Sequence, residues 1–274
     1  FAEHSEEMLE DTSIETEAKK SYVAYRPLGT ILAVMPWNFP FWQVLRCAVP
    51  AIMAGNTVLL KHSSLVPGCA LELEKIFKEA NAPAGVFKTL LIHNNQTEKC
   101  IAHSSVSAVS FTGSTEAGKV IASLAGKYLK KCVLELGGSD PYIVLKDADI
   151  SQAVKVCVKS RIKNSGQSCI AAKRFIIDHH IYDTFTKKFV EEMDKLVLGF
   201  PMAEPTNLGP LASIKLRDQL HAQVQESVKM GAKIELGGII PPNSGAFYPP
   251  TVLSNVQPGM PAFNEELFGP VAAL

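Results

Sequence analysis

From Thr30 onward the chain alternates apolar runs of strand length with stretches of helical periodicity, and this rhythm constrains the fold more than any other feature. Residues 31–37 (ILAVMPW), 57–61 (TVLLK), 85–92, 107–112 (SAVSFT) and 132–136 read as strands. Between them, 44–53, 67–80, 96–102 and 114–125 read as helices. The second half continues with strands at 141–145, 173–177 and 249–253 and helices at 150–163, 181–196 and 211–230. Such alternation predicts a parallel α/β sheet with helices on both faces. Ligands of such sheets bind at the carboxyl ends of the strands. Ahead of this region, 21–25 (SYVAY) reads as a short strand ending at Pro27 and Gly29. Residues 1–17 carry seven acids and read as a solvated helix end and loop.

At 274 residues and 47% hydrophobic, the chain is long enough for a sizeable core, in one large domain or two smaller ones. Its 27 basic and 27 acidic side chains cancel, so it lacks the electrostatic footprint of a nucleic-acid or anionic-membrane binder. No apolar run approaches the roughly 20 residues of a membrane span. Cys47, Cys69, Cys100, Cys132, Cys157 and Cys169 are scattered, with no Cys-x-x-Cys and no zinc spacing. That pattern predicts no metal site and a reducing compartment, here cytoplasmic. The first residue is Phe1 rather than Met, which leaves a mitochondrial address open.

Four motifs could carry chemistry. Residues 113–119 (GSTEAGK) follow a strand and open a helix, as in a phosphate-binding loop. Val120 stands where a nucleotide triphosphatase needs a hydroxyl for magnesium, so the match to that class fails. A glycine turn at a helix N-terminus still suits a phosphate, and a plain helix cap by Ser114 is the bland alternative. Cys169 ends the loop NSGQSC, where nearby N–H groups would lower a thiol pKa; a buried small hydrophobe is the alternative. Glu135, in LELGG, lies between leucines at a strand end. Burial there would raise its pKa and suit it to general-base work; pairing with Lys130 or Lys131 is the alternative. In PWNFP (36–40) two prolines fix a turn, from which the Asn38 amide could donate to a developing oxyanion.

Taken in order, PWNFP, FTGSTEAG, LELGG, GQSC and the later EELFGP (265–270) resemble the aldehyde dehydrogenase superfamily. The separations of Glu135 from Cys169 and of Cys169 from Glu266 are also similar to that family's. The resemblance covers nearly the whole chain and implies an internal fragment of a longer protein. It implies an aldehyde dehydrogenase-like α/β fold, with a Rossmann-like parallel-sheet cofactor domain (28–136), an α/β catalytic domain (137–274) and a partial oligomerisation hairpin (9–27). It further implies a homodimer or homotetramer acting on a small-molecule aldehyde.

The resemblance also implies roles. Cys169 is the nucleophile, Glu135 the general base, and Asn38 with the Cys169 N–H the oxyanion hole. Met35, Pro36, Trp37, Lys61, Ser64, Gly113, Ser114, Leu136, Gly137, Glu266 and Phe268 would contact NAD or NADP. Lys61-His62-Ser63-Ser64 stands where many members have Lys-Pro-Ser-Glu. The missing acid leaves room for a 2′-phosphate, so both cofactors stay open. Arg46, eight residues after Asn38, resembles the carboxylate-gripping arginine of succinate-semialdehyde dehydrogenases. Lys163 stands where that group has a second arginine, with Arg161 close by. The wording of KKCVLELGGSDPYIVL and AAKRFII fits the same branch. Oxidation of succinate semialdehyde to succinate is the expected reaction. A general aliphatic aldehyde dehydrogenase, with Arg46 in a helix-surface salt bridge, and a catalytically incompetent fragment are the alternatives.

Overall fold

The computed structural model describes residues 1, 3–242 and 245–274. The chain divides into two compact units, Phe1–Leu136 and Gly137–Leu274.

The first unit begins with a short helix α1 (Ser5–Met8) and two short strands, β1 (Thr12–Ser13) and β2 (Tyr22–Val23), paired antiparallel. Then come β3 (Thr30–Met35), α2 (Trp42–Met53), β4 (Thr57–His62), α3 (Pro67–Glu79), β5 (Phe87–Thr89), α4 (Thr97–Ala102), β6 (Val106–Thr112), α5 (Thr115–Lys127) and β7 (Lys131–Glu135). The five strands β3–β7 form one sheet in the order β5-β4-β3-β6-β7, parallel throughout. Alternate residues of β3 point to opposite faces, and both faces are apolar. Ala33 and Met35 join a cluster with Val44 and Ala48 of α2 and Ala70 and Leu73 of α3. Leu32 and Val34 join Ile101 of α4 and Ile121 of α5. This double burial explains why β3 reads as a continuous apolar run rather than an alternating one.

The second unit contains β8 (Pro141–Val144), α6 (Ile150–Ile162), β9 (Arg174–Ile177), α7 (Tyr182–Asp194), α8 (Ile214–Lys229), β10 (Lys233–Leu236), β11 (Thr251–Ser254), α9 (Pro261–Asn264) and β12 (Val271–Ala273). Its sheet order is β10-β11-β12-β9-β8, with β10 antiparallel to β11 and the other pairs parallel. Phe175, Phe185, Phe189 and Met193 form the core under α6 and α7. Leu220 and Val224 of α8 pack with Leu253, Leu267 and Val271 on the other face.

Several elements differ from the sequence reading. The strand expected through Trp37 stops at Met35, because Pro36 has no N–H to give the ladder. The strand expected over 85–92 shrinks to Phe87–Thr89 at the sheet edge, and Leu91 is exposed. The helix expected from 211 begins at Ile214, where the Ser213 hydroxyl accepts the Leu216 N–H at 3.2 Å. Strands β10 and β12 have no sequence counterpart. β12 is three small apolar residues, buried without any period to read.

Leu129, just past α5, is 93% exposed and left-handed at φ 52°. Helices usually end this way on glycine, because a Cβ there costs about 1–2 kcal/mol. Replacing Leu129 by Gly should therefore raise stability by about 0.5–1 kcal/mol after the added chain entropy, read as a higher urea midpoint. An unchanged or lower midpoint would mean that Leu129 is not strained.

Candidate active site

In the first unit, crossovers leave β3 towards β4 and β5 on one side, while β6 continues to β7 on the other. The carboxyl ends of β3 and β6 therefore flank the switch point, where doubly wound sheets form their crevice. A cleft of about 500 Å³ opens there. Met35, Pro36 and Trp37 line it from β3, Lys61 and Ser64 from β4, and Gly113 and Ser114 from β6. Lys61 is buried, which lowers its pKa, and its ammonium donates to Asn94 Oδ1. Gly113 is constrained: a Cβ there would lie 2.6 Å from the Phe111 ring. Ser114 caps α5, its hydroxyl accepting the Ala117 N–H at 3.3 Å, so the helix N-terminus borders the cleft.

His62 carries no role in the sequence reading, yet it braces this edge. Its Nδ1 accepts the Ser63 N–H at 2.9 Å. The same nitrogen lies 3.2 Å from the Met35 carbonyl, and Nε2 lies 3.0 Å from the Pro40 carbonyl. The ring thus ties the end of β4 to the turn that carries Asn38.

Glu135 and Arg46 differ from the sequence reading. Glu135 is exposed at the end of β7 rather than buried. Its partner is neither Lys130 nor Lys131 but Arg46 of α2, at 3.2 Å with both side chains about half exposed. Lys130 instead donates to the His103 carbonyl. The residues assigned to base catalysis and to substrate carboxylate thus neutralise each other in this structure. Leu136 packs against Gly118 of α5, where a Cβ would sit 2.3 Å from Leu136 Cδ2.

In the second unit, Cys169 follows a turn in which Asn164, Ser165 and Gly166 are all left-handed, at φ 54°, 53° and 76°. Two such non-glycine residues in succession store strain of about 1–3 kcal/mol each, tolerated where surroundings over-determine the backbone. Those surroundings are visible. A Cβ on Gly166 would lie 2.2 Å from the Gly269 carbonyl, and fully buried Arg161 donates to the Gly166 carbonyl at 2.7 Å. Burial pushes the Arg161 pKa down to about 9. Cys169 is partly exposed, its carbonyl accepting from buried Lys173 at 2.7 Å. Lys163 is exposed on the same turn, whereas Arg161 points inward to backbone. Burial raises the pKa of Glu266, which Lys173 opposes by an ion pair at 3.7 Å. Gly137 gives Glu266 its room, since a Cβ there would lie 2.1 Å from Oε2. Phe268 is partly buried two residues on.

The first unit thus holds a doubly wound parallel sheet with a cleft at its switch point, and the second a strained loop presenting a cysteine. The chain belongs to the aldehyde dehydrogenase family, whose model matches residues 1–274. It is 52% identical over its whole length to the NAD(P)+ succinate semialdehyde dehydrogenase Sad of Escherichia coli (strain K12), covering 59% of that protein. It is 48% identical over 99% of its length to a probable NADP+ succinate-semialdehyde dehydrogenase of Synechocystis sp., covering 60% of it. The crystal structure of succinic semialdehyde dehydrogenase from Streptococcus pyogenes in complex with NADP+ superposes with a TM-score of 0.95 at 38% identity. That superposition covers 99% of this chain and 60% of the other. The chain therefore spans about 60% of the length of the curated relatives it matches.

Burial lowers the His62 pKa below its ordinary value. The unfolded chain then takes up the proton first, so this contribution is present above about pH 6.5 and is lost as pH falls below it. Urea unfolding between pH 7.5 and 5 should show declining stability, and His62→Gln should flatten that slope. An equal slope in the variant would assign the decline to other groups.

Proposed function

We propose that the protein oxidises an aldehyde to a carboxylic acid with NAD(P)+, and that its substrate is a short semialdehyde acid, succinate semialdehyde. The observation that carries the reading is the presentation of Cys169: a partly exposed thiol whose carbonyl accepts from buried Lys173, on a loop whose left-handed run is held by buried Arg161.

Cys169 Sγ adds to the carbonyl carbon and makes it tetrahedral. The oxyanion accepts from the Asn38 amide and the Cys169 N–H, each such donor contributing about 3–4 kcal/mol in comparable acyl chemistry. NAD(P)+, when bound, would supply the hydride acceptor, and loss of hydride from the tetrahedral carbon as the C=O re-forms would leave a thioester on Cys169. Glu135 then takes a proton from water as its oxygen bonds to the thioester carbon; the C–S bond breaks and the thiolate is regenerated. An ammonium at Lys61, a helix N-terminus at Ser114 and a concave wall of Met35, Pro36 and Trp37 fit a dinucleotide. Lys61 and Ser64 would hold the adenosine ribose, and Gly113 with Ser114 the pyrophosphate. Leu136 and Gly137 would add backbone contacts, and Glu266 with Phe268 would hold the nicotinamide ribose and ring. A hydroxyl at Ser64, rather than an acid, admits NADP as well as NAD.

Arg46, aided by Lys163, is assigned to the substrate carboxylate. We assign β1 and β2 to subunit contact in a homodimer or homotetramer, on the half-exposed side chains of Ile14, Tyr22, Val23 and Tyr25. A second reading, oxidation of general aliphatic aldehydes, is favoured by the Arg46–Glu135 pair, which already engages the guanidinium.

The test is kcat/KM of the intact protein for succinate semialdehyde and for butanal. The expected preference for the semialdehyde is about 100-fold, or ~2.7 kcal/mol of transition-state binding. Arg46→Ala should collapse that ratio towards one, and Cys169→Ala should abolish both activities. A native ratio near one would retain the dehydrogenase and discard the semialdehyde. Full activity in Cys169→Ala would discard both.

A further inference from the structure

Two buried cations of the second unit have no part in the chemistry above. Lys173, just before β9, and Arg161, in the last turn of α6, are both fully buried. Withdrawing an ammonium or guanidinium from water costs several kcal/mol per ion unless the surroundings compensate. Here the compensation is organised around two loops. Lys173 Nζ donates to the carbonyls of Cys169 at 2.7 Å and Ala171 at 3.2 Å. Arg161 Nη2 donates to the carbonyls of Gly166 at 2.7 Å and Leu267 at 3.3 Å. The first loop, 166–171, carries Cys169; the second, 266–269, carries Glu266 and Phe268.

One carboxylate serves both cations. Glu266 Oε1 lies 3.7 Å from Lys173 Nζ, and the same carboxylate favours the charged form of Arg161. Glu266 has little freedom to move away, since its Oε2 fills the place a Cβ on Gly137 would take. Lys173 is therefore bound on one side to the backbone of Cys169 and faces Glu266 on the other. An ammonium has three donors on a flexible stem. With two of them used on Cys169 and Ala171, the third is left for the carboxylate, which lies at ion-pair distance.

We propose that Lys173 is a positioning residue, which locks the loop presenting Cys169 to the carboxylate of Glu266, and that Arg161 pins the same two loops together at Gly166 and Leu267. The proposal deepens the dehydrogenase reading and rests on it for the roles of Cys169 and Glu266. Nothing in it needs a ligand: the two loops behave as one mechanical piece in the free protein. Charge changes at Glu266 reach the thiol through Lys173.

The experiment is the rate at which iodoacetamide alkylates Cys169 in the cofactor-free protein, followed by mass spectrometry of the Cys169 peptide. Lys173→Met should slow alkylation about fivefold, and Glu266→Gln should change it by a similar factor in the opposite sense. The double variant should match Lys173→Met, because the carboxylate acts on the thiol only through the ammonium. Lys173→Arg should restore most of the native rate; loss of packing alone would not be rescued by charge. Titration with NADP+, read by fluorescence, should show weakened binding in Lys173→Met. A Glu266→Gln rate within twofold of native, or single effects that multiply in the double variant, would overturn the proposal. Should Lys173→Met fail to fold, the Glu266→Gln rate still decides the matter. Alkylation needs no turnover, so a protein with these rates but no aldehyde oxidation would lose the dehydrogenase reading and keep the coupling. Aldehyde oxidation with unaltered alkylation would do the reverse.

Discussion

A parallel sheet delivers the carboxyl end of every strand to one edge, and the first unit depends on that single constraint. Its central strand β3 is covered on both faces, by α2 and α3 on one side and by α4 and α5 on the other. With no solvent face, the strand cannot slip by one residue without driving its whole side-chain set into the wrong layer. Register is thereby set, and with it the height at which Met35 ends the strand and Pro36 turns the chain. Lys61, Gly113 and Glu135 reach the same edge because β4, β6 and β7 are in register with β3 or with its neighbour.

The second unit solves a different problem. It holds a cysteine on a turn that local preferences oppose, with Asn164 and Ser165 both left-handed. Buried donors from Arg161 and Lys173 supply what the turn lacks. Their charges would be intolerable without backbone carbonyls and Glu266 as partners. Backbone strain, buried charge and the tight fit at Gly137 and Gly166 form one compensated arrangement. Removing any member leaves another unsatisfied.

The ion pair between Arg46 and Glu135 shows where reading by motif stops. Both residues are legible in the sequence: Glu135 in LELGG and Arg46 beyond PWNFP. A motif assigns each a role as if it stood alone. Their contact at 3.2 Å arises because α2 packs on β3 and β4 and Arg46 reaches across a groove towards β7, which no spacing in the chain expresses. Similarly, the orientation of Arg161 is open in sequence, because a charged residue near a helix end is ordinarily solvated. Its inward course is decided by carbonyls of residues 166 and 267. Lys173 carries a faint signal, a lysine framed by Ala171, Ala172 and Phe175.

The sequence by itself determined the layered α/β architecture of each half, most element positions, and the five motifs that mark the aldehyde dehydrogenase family. Those features are local: period, proline, glycine and cap residues act within a few positions. Only the tertiary structure decided that Glu135 is exposed and paired, that Arg161 and Lys173 are buried, and that β12 exists at all. Those outcomes depend on solvent exclusion and on partners distant in the chain. A residue's burial and ionic partner belong to the packed whole, and a strand of three small residues is stable only because its neighbours β11 and β9 pair with it.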